Sequence, residues 1–253
     1  MRLQRGLIFL SVLTIQWACH SGEAQQSRNQ SASQAGKLAA TAPGRLLSIQ
    51  VKLPEKPYSQ PEQRRRFVQQ VVSRIKALPD VESVAAGSAP PDSYETRGIQ
   101  AESTASKSGL YSYKAVTPEY LGLLKLNLVK GRFFVEQDRT LNERLIIISE
   151  SVARQLFEDV DPIGQRIALY EGSKKGPWCT VIGVISDTQD EAGKVRNDIY
   201  GVYDQDPITN CALTECVYII VRTKSQSETL TEKLKEEIMA VDKEVTISDI
   251  KSR

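Results

Sequence analysis

Histidine is nearly absent from this sequence, since His20 is the only one in 253 residues. A Ser-His-Asp triad or a histidine-ligated metal centre therefore has no candidate after residue 20. A strong charge of one sign is also missing, because 33 basic and 31 acidic residues leave a net charge of +2. So balanced a chain has no field that would draw it to nucleic acid or to an anionic membrane surface.

Phosphate-binding loops and membrane-spanning runs are missing as well. No stretch reaches the roughly 20 apolar residues that are needed to cross a bilayer. The segment "DPIGQRI" (161–167) has one glycine, whereas a phosphate loop needs several backbone N–H groups and usually a lysine that opens a helix. We therefore interpret Gly164 as a turn residue with positive φ, and we expect neither ATP binding nor a cofactor.

Cysteine is sparse, with Cys19, Cys179, Cys211 and Cys216 as its only occurrences. After Cys19, three cysteines without a partner histidine fall short of the four ligands of a closed zinc site. Cys211 and Cys216 lie close together in a predicted loop, so they can form a disulfide in an oxidising compartment. Free, partly buried thiols are the alternative that the sequence leaves open.

A nucleophile with a matching base is also hard to find. Ser73 and Lys76 have the S-x-x-K spacing of serine acyl-enzymes, but both are predicted to face solvent from the middle of a helix. Arg64–Arg66 is interpreted as a solvated face of that helix, and Asp187–Glu191 as a solvated turn without calcium-loop spacing. We therefore expect no catalytic residues and no enzyme activity.

The first 24 residues have the pattern of a signal peptide. Two arginines precede the apolar run Leu7–Ile15, which is too short to span a bilayer stably. Lipoprotein-type cleavage before Cys19 would place a lipid on that cysteine, whereas ordinary cleavage after Ala24 would release a soluble chain. We favour the lipoprotein, because the Gln/Ser/Ala-rich residues 25–45 form a flexible tether that would space a domain from its anchor. Either route leads out of the cytoplasm, to the bacterial periplasm.

A β-α-β pattern occurs twice in the remaining chain. Each unit combines two short apolar strands with an amphipathic helix between them, and Ser227 is expected to cap the second helix. The strands are predicted near 47–53, 81–86, 217–223 and 245–249. Because the two units are separated by more than a hundred residues, they indicate one split α/β sandwich with an insertion.

The insertion has the more distinctive motifs. Thr117-Pro118-Glu119 has the pattern of a helix start, with a hydroxyl cap followed by proline. In chain order, "VTPEYLGLLKLNLVKGRFFVEQD", "IIISESVARQLFEDVDPIGQRI", "WCTVIGVISDT" and "VYIIVRT" resemble the MacB-like periplasmic core domain of FtsX/MacB-type ABC transporter permeases. The likeness runs from about Leu47 to Ile250. It is greatest to the duplicated permeases of acidobacteria.

This resemblance implies an α+β fold in two parts. A porter-like β-α-β sandwich would comprise residues 46–109 and 202–253, and a mixed α/β, Sabre-like subdomain would be inserted at 110–201. In the family, cytoplasmic ATP hydrolysis is transmitted through transmembrane helices to this domain, which moves substrates or engages partner proteins and has no catalytic residues. Arg132 is expected, from its recurrent family setting, to order the insert.

The surroundings of the domain depart from the family pattern. Family permeases place it between hydrophobic helices, whereas here a signal peptide precedes it and the sequence stops at Arg253. We therefore expect a stand-alone, non-catalytic module that binds a protein partner in an envelope transport complex, with Lys130 and Arg139 as surface charges of the insert. Two alternatives stay open: a small-ligand-binding protein that uses the cleft between the subdomains, and the remnant of a decayed permease gene.

Overall fold

The computed structural model describes residues 45–93, 96–102, 108–171, 173–205, 216–224 and 228–252. These residues form a mixed α/β fold with one extensive sheet. The strands are β1 Leu46–Lys52, β2 Val81–Gly87, β3 Thr96–Ala101, β4 Ser108–Val116, β5 Leu128–Gly131, β6 Arg144–Ser149, β7 Arg166–Glu171, β8 Lys174–Ile185, β9 Thr188–Gln189, β10 Val195–Arg196, β11 Asp198–Val202, β12 Cys216–Thr223 and β13 Thr246–Ser252. The helices are α1 Glu55–Tyr58, α2 Pro61–Lys76, α3 Tyr120–Leu123, α4 Glu150–Phe157 and α5 Glu228–Met239, with short 3-10 helices at Glu136–Thr140 and Tyr203–Gln205.

The two predicted β-α-β units interleave in one part of the sheet, where the strand order is β2-β12-β1-β13. Antiparallel pairing of β1 with both β12 and β13 makes β12 parallel to β13, and α5 connects these two strands. In the same way, β12 lies between β1 and β2, which α2 connects. This is the split β-α-β arrangement of ferredoxin-like folds. The prediction that these four strands share one sheet is confirmed.

Helix α2 forms because its sequence combines a start signal with a continuous apolar stripe. Pro61 occupies the first turn, and the N–H of Gln60 donates to Oε1 of Gln63 at 3.4 Å. Its buried face packs on the sheet through Phe67, Val68, Val71 and Ile75. Complete burial of Phe67 alone contributes about 1.5–3 kcal/mol. Among the described residues, no helix is long and apolar enough to cross a membrane.

Six of the remaining seven strands of the large sheet close into a ring, and the seventh, β5, pairs with β8 outside it. β4 pairs with β3, the ladder continues through β7, β8 and β6 to β11, and β11 pairs again with β4 in parallel. The enclosed side is apolar, because alternate side chains of these strands, such as Ile99, Tyr113, Ile146, Val181 and Ile199, are buried. The sequence predicted an inserted α/β subdomain but not this closure. β4 also runs across the predicted boundary between residues 109 and 110.

The helix start predicted at Thr117 is only partly correct. Helix α3 begins at Tyr120 and ends at Leu123, and the hydroxyl of Thr117 does not cap it. Instead, Thr117 Oγ1 accepts a hydrogen bond from the N–H of Ala86 at 3.0 Å, and the N–H of Thr117 donates to the Ala86 carbonyl at 2.9 Å. Thr117 therefore extends the contact between β2 and β4, where the six-stranded ring meets the interleaved units.

Candidate functional site

The S-x-x-K pair lies on the solvent-facing side of α2. Ser73 and Lys76 are both exposed on α2, as predicted from their position off the apolar stripe. No group of three or more His, Cys, Asp or Glu side chains that could hold a metal ion occurs in the part of the chain that the structure describes. The chemistry of the domain therefore has to be sought in its ion pairs and its surface.

A buried ionic cluster lies where β4 and β11 close the ring. The carboxylate of Asp198 forms ion pairs with Lys114 Nζ at 3.3 Å and Arg196 Nε at 3.2 Å. It also accepts a hydrogen bond from the Thr188 hydroxyl at 2.9 Å. Lys114, Arg196 and Asp198 are each at most 3% exposed. Arg196 also donates to the Ser93 carbonyl at 2.7 Å, so the cluster ties the ring to the connection between β2 and β3.

Lys114 and Arg196 keep the carboxyl group of Asp198 ionised. Burial alone would raise the pKa of Asp198, but the charges of Lys114 and Arg196 and the Thr188 hydrogen bond outweigh it, so that the pKa lies below its usual range. The pKa of Tyr200 is raised well above its ordinary value, first by burial and then by the nearby Asp198 charge. The cluster is thus a fixed ion network with two neutral tyrosines, Tyr120 and Tyr200, beside it.

A second ion cluster corrects the expectation for Arg139. This residue is not a surface charge, because only 8% of its side chain is exposed and its Nε lies 2.6 Å from Oδ2 of Asp204. Asp204 is completely buried, and Arg65 of α2 approaches its other oxygen at 3.6 Å. Burial raises the pKa of Asp204, and the arginines counteract this effect only in part. The sequence around Asp204 contains no motif that would have predicted its pairing with Arg139.

The contacts of Arg132 agree with the structural role predicted for it, although its side chain is half exposed and not buried. Its guanidinium binds both carboxylate oxygens of Asp138, at 2.6 and 2.9 Å, in the bidentate geometry that favours such pairs. The same carboxylate accepts the N–H of Val135 at 2.8 Å and so fixes the start of the 3-10 helix. Burial opposes ionisation, but the Arg132 and Val135 hydrogen bonds dominate and lower the pKa of Asp138.

The three arginines of Arg64–Arg66 do not form one basic patch. Arg64 donates to the carbonyl of Tyr58 at 2.7 Å, and Arg65 pairs with Glu62 at 2.5 Å as well as facing Asp204. Only Arg66 is largely exposed, and it too pairs with Glu62, at 3.2 Å. The acidic segment 187–191 likewise makes contacts within the fold, since Asp187 accepts hydrogen bonds from the N–H of Ser151 and the side chain of Arg154 on α4.

Gly164 is a turn residue, as predicted. Its φ is +83°, and its N–H donates to the Val181 carbonyl at 2.8 Å, so this amide is not directed at a phosphate. Asp161 completes the turn by accepting the N–H of Ile163 at 3.0 Å.

Exposed apolar side chains are concentrated in one stretch of the sequence. Of the eight large apolar side chains that are exposed among the described residues, five lie between residues 128 and 160: Leu128, Val129, Val135, Leu141 and Val160. Two of them, Leu128 and Val129, lie on β5, and we call the exposed side of this strand the β5 surface. An ion pair of 2.8 Å between Lys130 and Asp161 joins the strand to the segment that bears Val160. Lys130 is half exposed, in agreement with its prediction as a surface charge.

Two cavities bear on the ligand-binding alternative. One of about 20 Å³ lies between the start of α2 and Asp204, which is room for one water molecule. The other is an open groove of about 720 Å³ along α5 and β13, lined in part by Met239, Val245 and Ile250. The groove is thus formed within the interleaved units and not between the two predicted subdomains.

Several predicted residues lie outside the described ranges. These are Cys19, Ala24, the tether up to residue 44, Cys211 and Ser227. Cys216 is at the start of β12, where its Sγ accepts a hydrogen bond from Gln50 Nε2 at 3.3 Å. The Cys211–Cys216 disulfide and the lipidation of Cys19 therefore stay predictions.

Comparison with known proteins assigns the class of this fold. The family described as the MacB-like periplasmic core domain matches residues 22–241, so the chain belongs to this family. The fold is similar to the periplasmic region of MacB from Actinobacillus actinomycetemcomitans, with a TM-score of 0.52 at 16% identity over 81% of this chain and 87% of that one. It is also similar to the extracellular domain of the noncanonic ABC-type transporter YknZ from Gram-positive bacteria, with a TM-score of 0.51 at 16% identity over 80% of this chain and 100% of that one. No curated protein matches the sequence.

Proposed function

We propose that this domain is a non-catalytic periplasmic module that binds a protein partner in an envelope transport complex. The observation that carries the proposal is membership of the MacB-like periplasmic core domain family over residues 22–241. Domains of this family are the periplasmic parts of ABC transporter permeases, which are membrane complexes with several protein components. The ion clusters around Asp198 and Asp204 support a structural use of the charged residues, because each pairs groups within the fold.

We further propose that the domain has the two-part organisation of its family. The interleaved β-α-β units would form the porter-like part, at 46–109 and 202–253, and the Sabre-like insert at 110–201 would supply most of the six-stranded ring, to which β3 adds a strand from before residue 110. In support, α2 and α5 both cover the interleaved strands, while the ring closes separately through the pairing of β11 with β4. The partner would contact the β5 surface of the insert, because Leu128 and Val129 are large apolar side chains exposed together on one short strand.

Crosslinking from the β5 surface tests this function. A photoreactive amino acid in place of Val129, which is 52% exposed, is expected to capture one component of an ABC transporter complex in intact cells. The matched control has the same amino acid in place of Ser73, which is exposed on α2. Lys130→Glu should lower the capture severalfold, and more so at low salt, because a charge at the rim of an interface acts mainly on the association rate. Equal products from positions 129 and 73, or none from either, would contradict the proposal.

Anchoring is a separate proposal with its own test. If cleavage precedes Cys19, the mature protein has a lipid on this residue and remains with the membrane fraction. Cys19→Ser is expected to abolish both incorporation of a fatty-acid analogue and membrane retention, whereas the control Cys216→Ser should keep both. A mature N-terminus at Gln25, determined by mass spectrometry of the purified protein, would exclude lipidation.

A further inference from the structure

The short 3-10 helix after β11 makes an unusual set of contacts for three residues. Gln205 donates its two amide hydrogens to three carbonyls, those of Asp138 at 2.6 Å, Glu143 at 2.8 Å and Leu141 at 3.1 Å. Its Oε1 accepts the N–H of Leu145 at 3.1 Å. One side-chain amide thus binds four backbone groups of the segment 138–145, which would otherwise need water. The conformation of that segment depends on Gln205.

The preceding residue links the same segment to a different part of the fold. Asp204 holds Arg139 of the 138–145 segment at 2.6 Å and faces Arg65 of α2 at 3.6 Å. Both arginines bind one carboxylate that is completely buried, so displacement of either changes the environment of the other. A cavity of about 20 Å³, room for one water molecule, lies between the start of α2 and Tyr203 and Asp204, so this contact depends on the ion pair more than on close packing.

We propose that Tyr203–Gln205 is a mechanical coupler that makes the 138–145 segment and the first turns of α2 open and close together. Gln205 fixes the segment, and Asp204 passes its position to α2 through the two arginines. The coupler thus ties the segment that leads into β6 to a helix of the interleaved units. This inference does not depend on the proposed function, since it concerns motion within the chain.

Hydrogen exchange in Gln205→Glu tests the coupling. The substituted carboxylate cannot donate to the three carbonyls, so amide exchange in 138–145 is expected to rise at least tenfold. Coupling requires a rise of similar size in residues 61–66 of α2, with no change in β13. The matched control is Gln137→Glu, which makes the same chemical change at an exposed position of the neighbouring 3-10 helix and should alter neither region.

A second variant separates coupling from a local structural role. Arg65→Met removes the link from Asp204 to α2. Amide exchange in residues 61–66 should therefore be the same in the double variant Gln205→Glu/Arg65→Met as in Arg65→Met alone. Faster exchange confined to 138–145 in Gln205→Glu alone would overturn the proposal. Gln205→Asn, which keeps the amide but shortens its reach, repeats the comparison more mildly. Uniform acceleration in both variants, β13 included, would also overturn it.

Discussion

Replacement of Asp198 by alanine is expected to lower the free energy of unfolding by about 3–5 kcal/mol, because removal of one partner leaves buried charges uncompensated. Lys114 and Arg196 would remain at most 3% exposed and would lose the carboxylate that lies 3.3 and 3.2 Å from them. Chemical denaturation monitored by fluorescence measures the loss. The matched control is Asp161→Ala, which breaks the surface pair with Lys130 and the turn hydrogen bond from Ile163 and should cost much less, because both are exposed to solvent. Similar effects of the two substitutions would contradict a stabilising role for the buried cluster.

The penalty of Asp198→Ala should also depend on pH in a defined direction. The folded state lowers the pKa of Asp198, so the stabilisation from its charge is complete above the unfolded value of about 3.9 and is lost as the pH falls through the lower folded value. We therefore expect the same difference between variant and parent from pH 5 to 8, and a smaller one below about pH 4. A difference that instead grew on acidification would show that another group dominates.

Replacement of Gly131 by alanine is the second change with a large expected effect, about 2–5 kcal/mol from unfavourable backbone conformation together with overpacking. Gly131 has a φ of +76°, and a β-carbon there would overlap the carbonyl oxygen of Ile182 and lie 2.8 Å from Cδ1 of Ile163. The Ile182 carbonyl is a backbone group and cannot move without displacing β5 from β8. Thermal unfolding of the purified domain gives the comparison.

Gly164→Ala separates the two causes of that effect. Gly164 has a similar φ of +83°, but a β-carbon there would meet nothing within 4 Å. Its replacement should therefore cost only the backbone term of about 1–2 kcal/mol. If both alanine variants lose the same stability, the close approach of β5 to β8 contributes nothing to the requirement for glycine at residue 131.

The interleaved units were predictable from sequence because their signals are local. The stripe through Phe67, Val71 and Ile75 and the strand 217–221 follow from periodicity alone, and their shared sheet follows from the rule that β-α-β units bury a common face. The turn at Gly164 was predictable for the same reason, since one glycine after proline specifies it.

The ring closure and the buried ion clusters were not predictable, because they depend on partners far apart in sequence. The pairing of β11 with β4 brings Asp198 to Lys114 across 84 residues, and neither residue has a local signal for burial. Arg139 was expected at the surface because charged residues in polar turns are usually solvated. Its burial results from Asp204, which only the complete fold places beside it.

The antiparallel ladder between β1 and β13 has a mechanical consequence. Leu47 pairs with Ser252 at one end of the ladder and Lys52 with Thr246 at the other, so the chain enters β1 beside the point at which it leaves β13. A tensile load that pulls these two points apart would break the hydrogen-bonded pairs of the ladder one after another, starting with Leu47 and Ser252, and would need little force. A load that displaces both points in the same direction breaks none of these pairs, so the sheet moves as one unit.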